Sequence, residues 1–256
     1  MFEFDVVHSP QEDLRIQHNE ILRQYLLASD FVFFLAFDVG GSCYLKTYEH
    51  TFEFLHNNMR LMTNTFELLH ETRKPFVFAS SQMSNMSFST YGRLKALGES
   101  YTRALNGIIV KFWNVYGIEH DPAKTHVITD FIMKAQEKRR IDMMTDGTEE
   151  RQFLYADDCS EALFLLSQSY GGINCNHALH ITSYDWVTIL DVAKIVAEYF
   201  PGTIINPAES KDDVQKGYRN EPDTFILRYW KPRTSLRAGI GRIVDHIIKM
   251  PLHDNR

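Results

Sequence analysis

Ser80, Ser81, Tyr91 and Lys95 fall within one short stretch, "SSQMSNMSFSTYGRLK", residues 80 to 95. Tyr91 and Lys95 are four apart, and on a helix that spacing puts both on one face. A lysine ammonium held near a phenol stabilises the phenolate and draws the tyrosine pKa down from its usual value of about 10. Such a tyrosine removes a proton from an alcohol or returns one to a carbonyl. A serine hydroxyl bonded to the same substrate oxygen completes a minimal proton-transfer site. The same residue types also suit a polar surface helix and its leading loop, and Tyr-x-x-x-Lys alone does not decide between the two.

The elements that must position these residues alternate between strand-like and helix-like segments, which points to an α/β fold with a parallel sheet. "FVFFLAF" (31 to 37) is uninterruptedly apolar, as a strand buried on both faces should be. A helix follows from about Tyr48 to Thr72, with Phe52, Leu55, Met59, Met62, Phe66 and Leu69 at three- and four-residue steps. "RKPFVFASS" gives a second strand, Phe76 to Ala79, which leaves Ser80 and Ser81 at its C-terminal end. That edge is where open α/β sheets bind ligands. "TYGRLKALGESYTRAL" is the next helix, ended near Asn106-Gly107, and "GIIVKFWNVYG" is a third strand running into a turn.

Further on, "HVITDFIMKAQEK" reads as an amphipathic helix, and "RQFLYADDCSEALFLLSQS" as a strand and then a helix with Asp158 and Glu161 at capping-box spacing. "HALHIT" is a strand, "DWVTILDVAKIVAEYF" a helix stopped by Pro201-Gly202, and "TSLRAGIGRIVDHIIKM" a terminal helix. At the N-terminus "SPQE" (Ser9 to Glu12) has capping-box spacing. The alternation of Phe2, Phe4 and Val6 favours instead a strand, with the first helix delayed to about Asn19–Ala28.

The chain has 256 residues, 44% hydrophobic, enough for one large domain or two intimate lobes. Its formal net charge of -6 offers no basic excess for phosphates along a nucleic acid, so no nucleic-acid partner is expected. Cys43, Cys159 and Cys175 are far apart and odd in number, which suggests no disulfide framework and suits a reducing, cytoplasmic compartment. The longest apolar run is seven residues, against the roughly 20 a membrane-spanning helix needs, so no membrane partner is expected.

"FVFFLAF", "PFVFASS", "YGRLKALGESY", "KFWNVYG", "RQFLYADD" and "YWKPRTSLRAGI", in that order, resemble the extended short-chain dehydrogenase/reductase family, which includes nucleotide-sugar epimerases and dehydratases. The resemblance runs from about Asp13 to the C-terminus. It implies a Rossmann-like part over about 1–116 and 151–183, and a smaller C-terminal substrate-binding lobe over about 117–150 and 184–256. Ser81 matches the catalytic Ser/Thr, Tyr91 the acid/base and Lys95 its partner. Leu35, Ala36, Ser80, Tyr91 and Lys95 fall on the cofactor side, and Ser81, Asn114 and Arg151 on the substrate side. The cofactor implied is NAD or NADP, and the partner a nucleotide sugar. In the implied mechanism Tyr91 takes a hydroxyl proton while a sugar carbon gives hydride to the nicotinamide. The helices 48 to 72 and 90 to 106 resemble those that pair across the family's two-fold interface, so a homodimer is expected.

Two departures stand out. Only nine residues separate Ser81 from Tyr91, where a longer loop is common. More seriously, no G-x-x-G-x-x-G accompanies the early strands, so the first β-α-β unit, whose helix N-terminus holds the cofactor pyrophosphate, is missing and the Rossmann-like sheet is N-terminally truncated. "VGGS" (39 to 42) follows the wrong strand for that role, and bulky Phe37 replaces a small residue near the cofactor. An unpaired edge on the strand from Phe31 invites "MFEFDVV" or a separate chain to complete the sheet. The function implied is therefore an NAD(P)-dependent epimerase/dehydratase working through Ser81, Tyr91 and Lys95. The alternative is a non-catalytic sugar-nucleotide-binding relative or subunit.

Other residue groups suggest less. Cys175, His177 and His180 in "CNHALH" have the types of a metal cluster, but 177 and 180 face opposite sides of a strand. Asp157 and Asp158 are adjacent carboxylates, one already explained as a cap. Met83 and Met86 suit packing beside the site, as do Trp113 and Tyr116. Arg219, Arg228 and Arg233 lie in the region that closes over the diphosphate in the family, and spacing does not choose among them.

Overall fold

The computed structural model describes residues 2–119, 121–173 and 177–249. The chain runs through α1 (Glu20–Ala28), β1 (Val32–Phe34), α2 (Ser42–Tyr48), α3 (Phe52–Thr72), β2 (Phe76–Ser81), α4 (Thr90–Ala104), β3 (Ile108–Phe112) and β4 (Asn114–Tyr116). It continues through α5 (Val127–Lys138), β5 (Arg140–Asp142), β6 (Glu150–Tyr155), α6 (Ala156–Gln168) and β7 (Ala178–Ile181). The last elements are β8 (Trp186–Thr188), α7 (Ile189–Tyr199), β9 (Ile204–Asn206) and α8 (Leu236–Lys249).

The main sheet has the order β1-β2-β3-β7, and all its pairings are parallel. This is the α/β, parallel-sheet arrangement the alternation of segments implies, and the Rossmann-like one the resemblance implies. All six residues of β2 are buried, as a central strand covered on both faces requires. On one face Phe34, Phe66, Phe76 and Phe78 pack with the inner sides of α1, α3 and α4. On the other, Val77, Ile108 and Val110 pack with Ala162 and Leu166 of α6. A third apolar cluster gathers α5, α7 and α8 around β4, β5 and β6. Two small sheets, β4-β6-β8 and β5-β9, lie beside the main one.

Several local expectations are corrected. Residues 2–18 carry no strand. Asp5 turns the chain, accepting from the Val7 N–H, and Phe2 and Phe4 pack on the Tyr25 ring rather than on a neighbouring strand. Among the described residues β1 is therefore an edge. Ser9 to Glu12 form a turn, and the first helix starts at Glu20, capped by Asn19. The helix expected from about Tyr48 to Thr72 begins at Phe52, because Thr51 caps it through the Phe54 N–H, and the separate helix α2 ends at Tyr48. "GIIVKFWNVYG" splits into β3 and β4, which belong to different sheets.

Asp158 is no cap either. Helix α6 begins two residues earlier, and the Asp158 carboxylate instead accepts the Arg233 and Thr234 N–H groups and the Thr234 hydroxyl, tying the segment before α8 to α6. The glycine pair of "VGGS" is also explained. A Cβ at Gly41 would lie 2.3 Å from the Thr125 carbonyl oxygen, and the Gly41 N–H donates to Lys124. These glycines let two backbones touch. Among the described residues no helix is long and apolar enough to cross a membrane.

Candidate active site

Helix α4 starts beside the C-terminal end of β2, which lets the short "QMSNMSFST" link serve. Residues 82–85 form one 3₁₀ turn, and Ser89 then caps α4 by accepting the Gly92 N–H. Glu49, which the sequence did not single out, steadies this start. Its buried carboxylate accepts the Ser89 hydroxyl at 2.8 Å and the Tyr91 N–H at 3.4 Å. Tyr91, Lys95 and Glu99 then follow at four-residue steps down the face of α4 that meets the sheet.

Tyr91 and Ser81 are brought together. The Ser81 oxygen accepts the Met83 N–H at 3.1 Å and lies near enough to the Tyr91 phenol to ease its ionisation. Burial nevertheless pushes the Tyr91 phenol up to about 12, with Ser81 opposing the shift. Lys95 does not lower it. Its Nζ donates to the Ala79 carbonyl at 2.6 Å and sits 3.8 Å from the centroid of the Phe37 ring, but 5.7 Å from that of Tyr91. Burial draws the Lys95 amine itself down to about 7. The expected phenolate–ammonium pair is thus corrected. Desolvation disfavours charge on both groups, and Tyr91 stands as a neutral phenol able to donate a proton.

The other expected site residues are placed as follows. Ser80 points under α4, where its hydroxyl donates to Glu99 at 2.6 Å, so it serves a buried network with Lys111 and Arg103 rather than a cofactor. Leu35 and Ala36 are exposed at the end of β1. The Asn114 amide donates to the Gln152 carbonyl across β4 and β6. Arg151 on β6 forms a largely buried ion pair with Asp212 at 2.6 Å. Around it lies a cleft of about 420 Å³, bordered also by Glu150, Lys216, Tyr218 and Arg219. Arg219 pairs with Glu150 and stacks on Trp186, whereas Arg228 lies on the Phe225 ring and Arg233 near Glu161. Asn220, next to Arg219, donates to the backbone and side-chain oxygens of Gln82, the residue after Ser81.

Met83 and Met86 are core residues, and Trp113 packs edge-on against Trp186. His180 accepts the Trp113 indole N–H at 3.3 Å; burial and the nearby Lys111 charge draw its imidazole down to about 4. His177 stacks on Phe225, and Cys175 lies outside the described residues. No group of His, Cys, Asp and Glu suited to a metal occurs among the described residues.

The residues present do not fit a nicotinamide dinucleotide as they stand. Phe37 packs edge-on against Tyr91 at 5.5 Å and covers Lys95, whose amine is already bonded to Ala79. Among the described residues the glycine pair that follows a sheet strand, Gly40 and Gly41, is taken up by its contact with residues 124–126.

Comparison with known proteins places this geometry. Against the GDP-L-fucose synthase of Sinorhizobium fredii the chain is 28% identical over 144 residues, 53% of this chain and 45% of that protein. Against a putative UDP-glucose 4-epimerase of Methanocaldococcus jannaschii it is 28% identical over 167 residues, 61% and 52% of the two chains. The chain thus spans about half the length of the curated relatives it matches. Among solved structures, an epimerase from Methanothermobacter thermautotrophicus superposes with a TM-score of 0.77 at 20% identity, covering 92% of this chain and 76% of that one. The UDP-glucose 4-epimerase of Thermus thermophilus, in complex with NAD, gives 0.73 at 19% identity, covering 93% and 84%. These likenesses are of fold. The model of the NAD dependent epimerase/dehydratase family matches residues 8–182, the segment that carries the main sheet, Ser81, Tyr91, Lys95 and Arg151, and the chain belongs to that family.

Proposed function

We propose that this chain binds a nucleotide sugar along the C-terminal edge of its main sheet, with the diphosphate towards Arg151 and the sugar towards Ser81 and Tyr91. The observation that carries the reading is the bridge at Asn220. It fastens the segment bearing Arg219, at the Arg151 cleft, to Gln82 beside Ser81. Residues 219 and 220 thereby reach from the Arg151 cleft to the residue next to Ser81. The relatives' names, which include GDP-L-fucose synthase and dTDP-L-rhamnose 4-epimerase, support that ligand class.

In this reading Tyr91 donates to a sugar oxygen as a neutral phenol, and Ser81 fixes the direction of that bond. Turnover as an epimerase or dehydratase is the second reading, favoured by the nearness of Ser81 to the Tyr91 phenol. It requires the Phe37 ring to leave Lys95. The exposed Phe52 and Leu55 of α3 and Leu97 and Tyr101 of α4 support a homodimer through those helices.

Thermal unfolding with UDP-, GDP- and dTDP-sugars tests the reading, since a ligand of the native state raises the midpoint. The expected result is a rise with at least one of them, lost in Arg151→Met. No rise with any at millimolar concentration would overturn it.

A further inference from the structure

Residues 210–220 form a strap across the cleft, and it is fastened at both sides. Lys211 pairs with Asp146, Asp212 with Arg151, and Asp213 with Lys46 of α2 at 2.6 Å. Val214 is buried in the core cluster beneath α3 and α4, Lys216 lies over the Phe88 ring, and Asn220 is bonded to Gln82. The chain turns back through positive φ at Lys216 and Gly217.

Asp212 is the centre of this arrangement. One carboxylate oxygen takes the Val214 and Gln215 N–H groups at 3.1 and 3.2 Å. The other takes the Arg151 guanidinium and, at 3.4 Å, the Gly217 N–H. The Arg151 and Asp212 side chains keep only 13% and 10% of their accessible surface. A guanidinium this buried needs an anion, and leaving it unpaired is strongly unfavourable. A guanidinium with converging backbone N–H groups is also the donor set that suits a phosphate oxygen. Lys211, Lys216 and Arg219 line the same cleft, with Lys211 paired to Asp146 and Arg219 to Glu150.

We propose that Asp212 is an internal counterion that occupies the phosphate position on Arg151, and that the diphosphate of a nucleotide ligand must displace it, swinging residues 211–213 aside while Asn220 stays bonded to Gln82. Asp212 takes the Arg151 Nη2 donors while Nη1 is bonded to the Glu150 carbonyl, so a phosphate must compete with the carboxylate for the same edge and is repelled by it. Asp212 then sets the affinity of the cleft and selects for ligands of charge high enough to compete. This rests on the nucleotide-sugar reading above and adds a gate to it.

The test is calorimetric titration of the full chain with UDP and with inorganic pyrophosphate. Asp212→Asn is expected to bind UDP at least tenfold more tightly than the native chain, because the competing charge is gone while the hydrogen-bonding shape remains. Asp213→Asn, which loosens only the exposed Lys46 tether, is expected to tighten binding about threefold, and it keeps the test open should Asp212→Asn fail to fold. Pyrophosphate should follow the same order. Unchanged or weaker binding in both variants, with the native chain still binding UDP, overturns the gate and leaves the ligand reading standing. Absence of UDP and pyrophosphate binding in the native chain and both variants overturns the two together.

Discussion

The Phe37 ring lies face-on to the Lys95 ammonium, its centroid 3.8 Å from Nζ. An aromatic face favours a cation, yet the surrounding burial outweighs it and leaves the amine with a pKa of about 7. The result is a lysine whose charge is easily lost, beside a tyrosine whose proton is not. Near neutral pH any chemistry at this place begins from a neutral phenol and an amine balanced between its two protonation states.

This has a consequence for stability. Between pH 7 and the usual lysine value of 10.5 the unfolded chain binds a proton at Lys95 that the folded chain does not. Stability therefore rises with pH across that window, by on the order of 5 kcal/mol in total at about 1.4 kcal/mol per unit. Below pH 7 the whole penalty is present. Lys95→Met should flatten the rise. Urea unfolding at pH 7 and pH 9.5 checks it: equal pH slopes in the two proteins would show that Lys95 is charged throughout.

Removing the ring should matter for cofactor access. Phe37→Ala uncovers the amine and the adjoining Tyr91 edge, at a packing cost of up to about 3 kcal/mol. Millimolar NAD is expected to raise the unfolding midpoint of Phe37→Ala by several degrees more than that of the native chain. An equal rise in both would mean that Phe37 is no barrier.

The dimer proposal is now separable from core damage. Met62 is fully buried, whereas Leu97 is 38% and Leu55 42% exposed on the outer side of α4 and α3. Leu97→Glu should convert a dimer into a monomer by light scattering and shift the isolated fold by less than about 1 kcal/mol. A native chain that is already monomeric at tens of micromolar would end the proposal.

Much of this architecture was legible in the sequence because the main strands are continuous apolar runs and the helices carry clear three- and four-residue periods. "FVFFLAF" and "PFVFASS" admit few other readings. The N-terminal alternation of Phe2, Phe4 and Val6 misled, since rings can bury against a helix as readily as against a strand. The Tyr91–Lys95 spacing correctly implied one helical face, but spacing carries no information about desolvation, which set both pKa values. Phe37 was visible as an oversized residue. Asp212 was not: it sits in a polar loop, and its partner Arg151 is 61 positions away. Glu49 was hidden for the same reason, 40 positions from Ser89.

The most direct measurement compares UDP with UDP-glucose, or whichever nucleotide sugar protects best, in the native chain, Arg151→Met and Tyr91→Phe. Arg151→Met should weaken both ligands by about 30-fold or more, the scale of a lost charged hydrogen bond. Tyr91→Phe should weaken only the sugar-bearing ligand, by about five- to tenfold. If Tyr91→Phe left the two affinities in their native ratio, or if Arg151→Met bound both as tightly as the native chain, the sugar and the diphosphate would not lie where this cleft puts them.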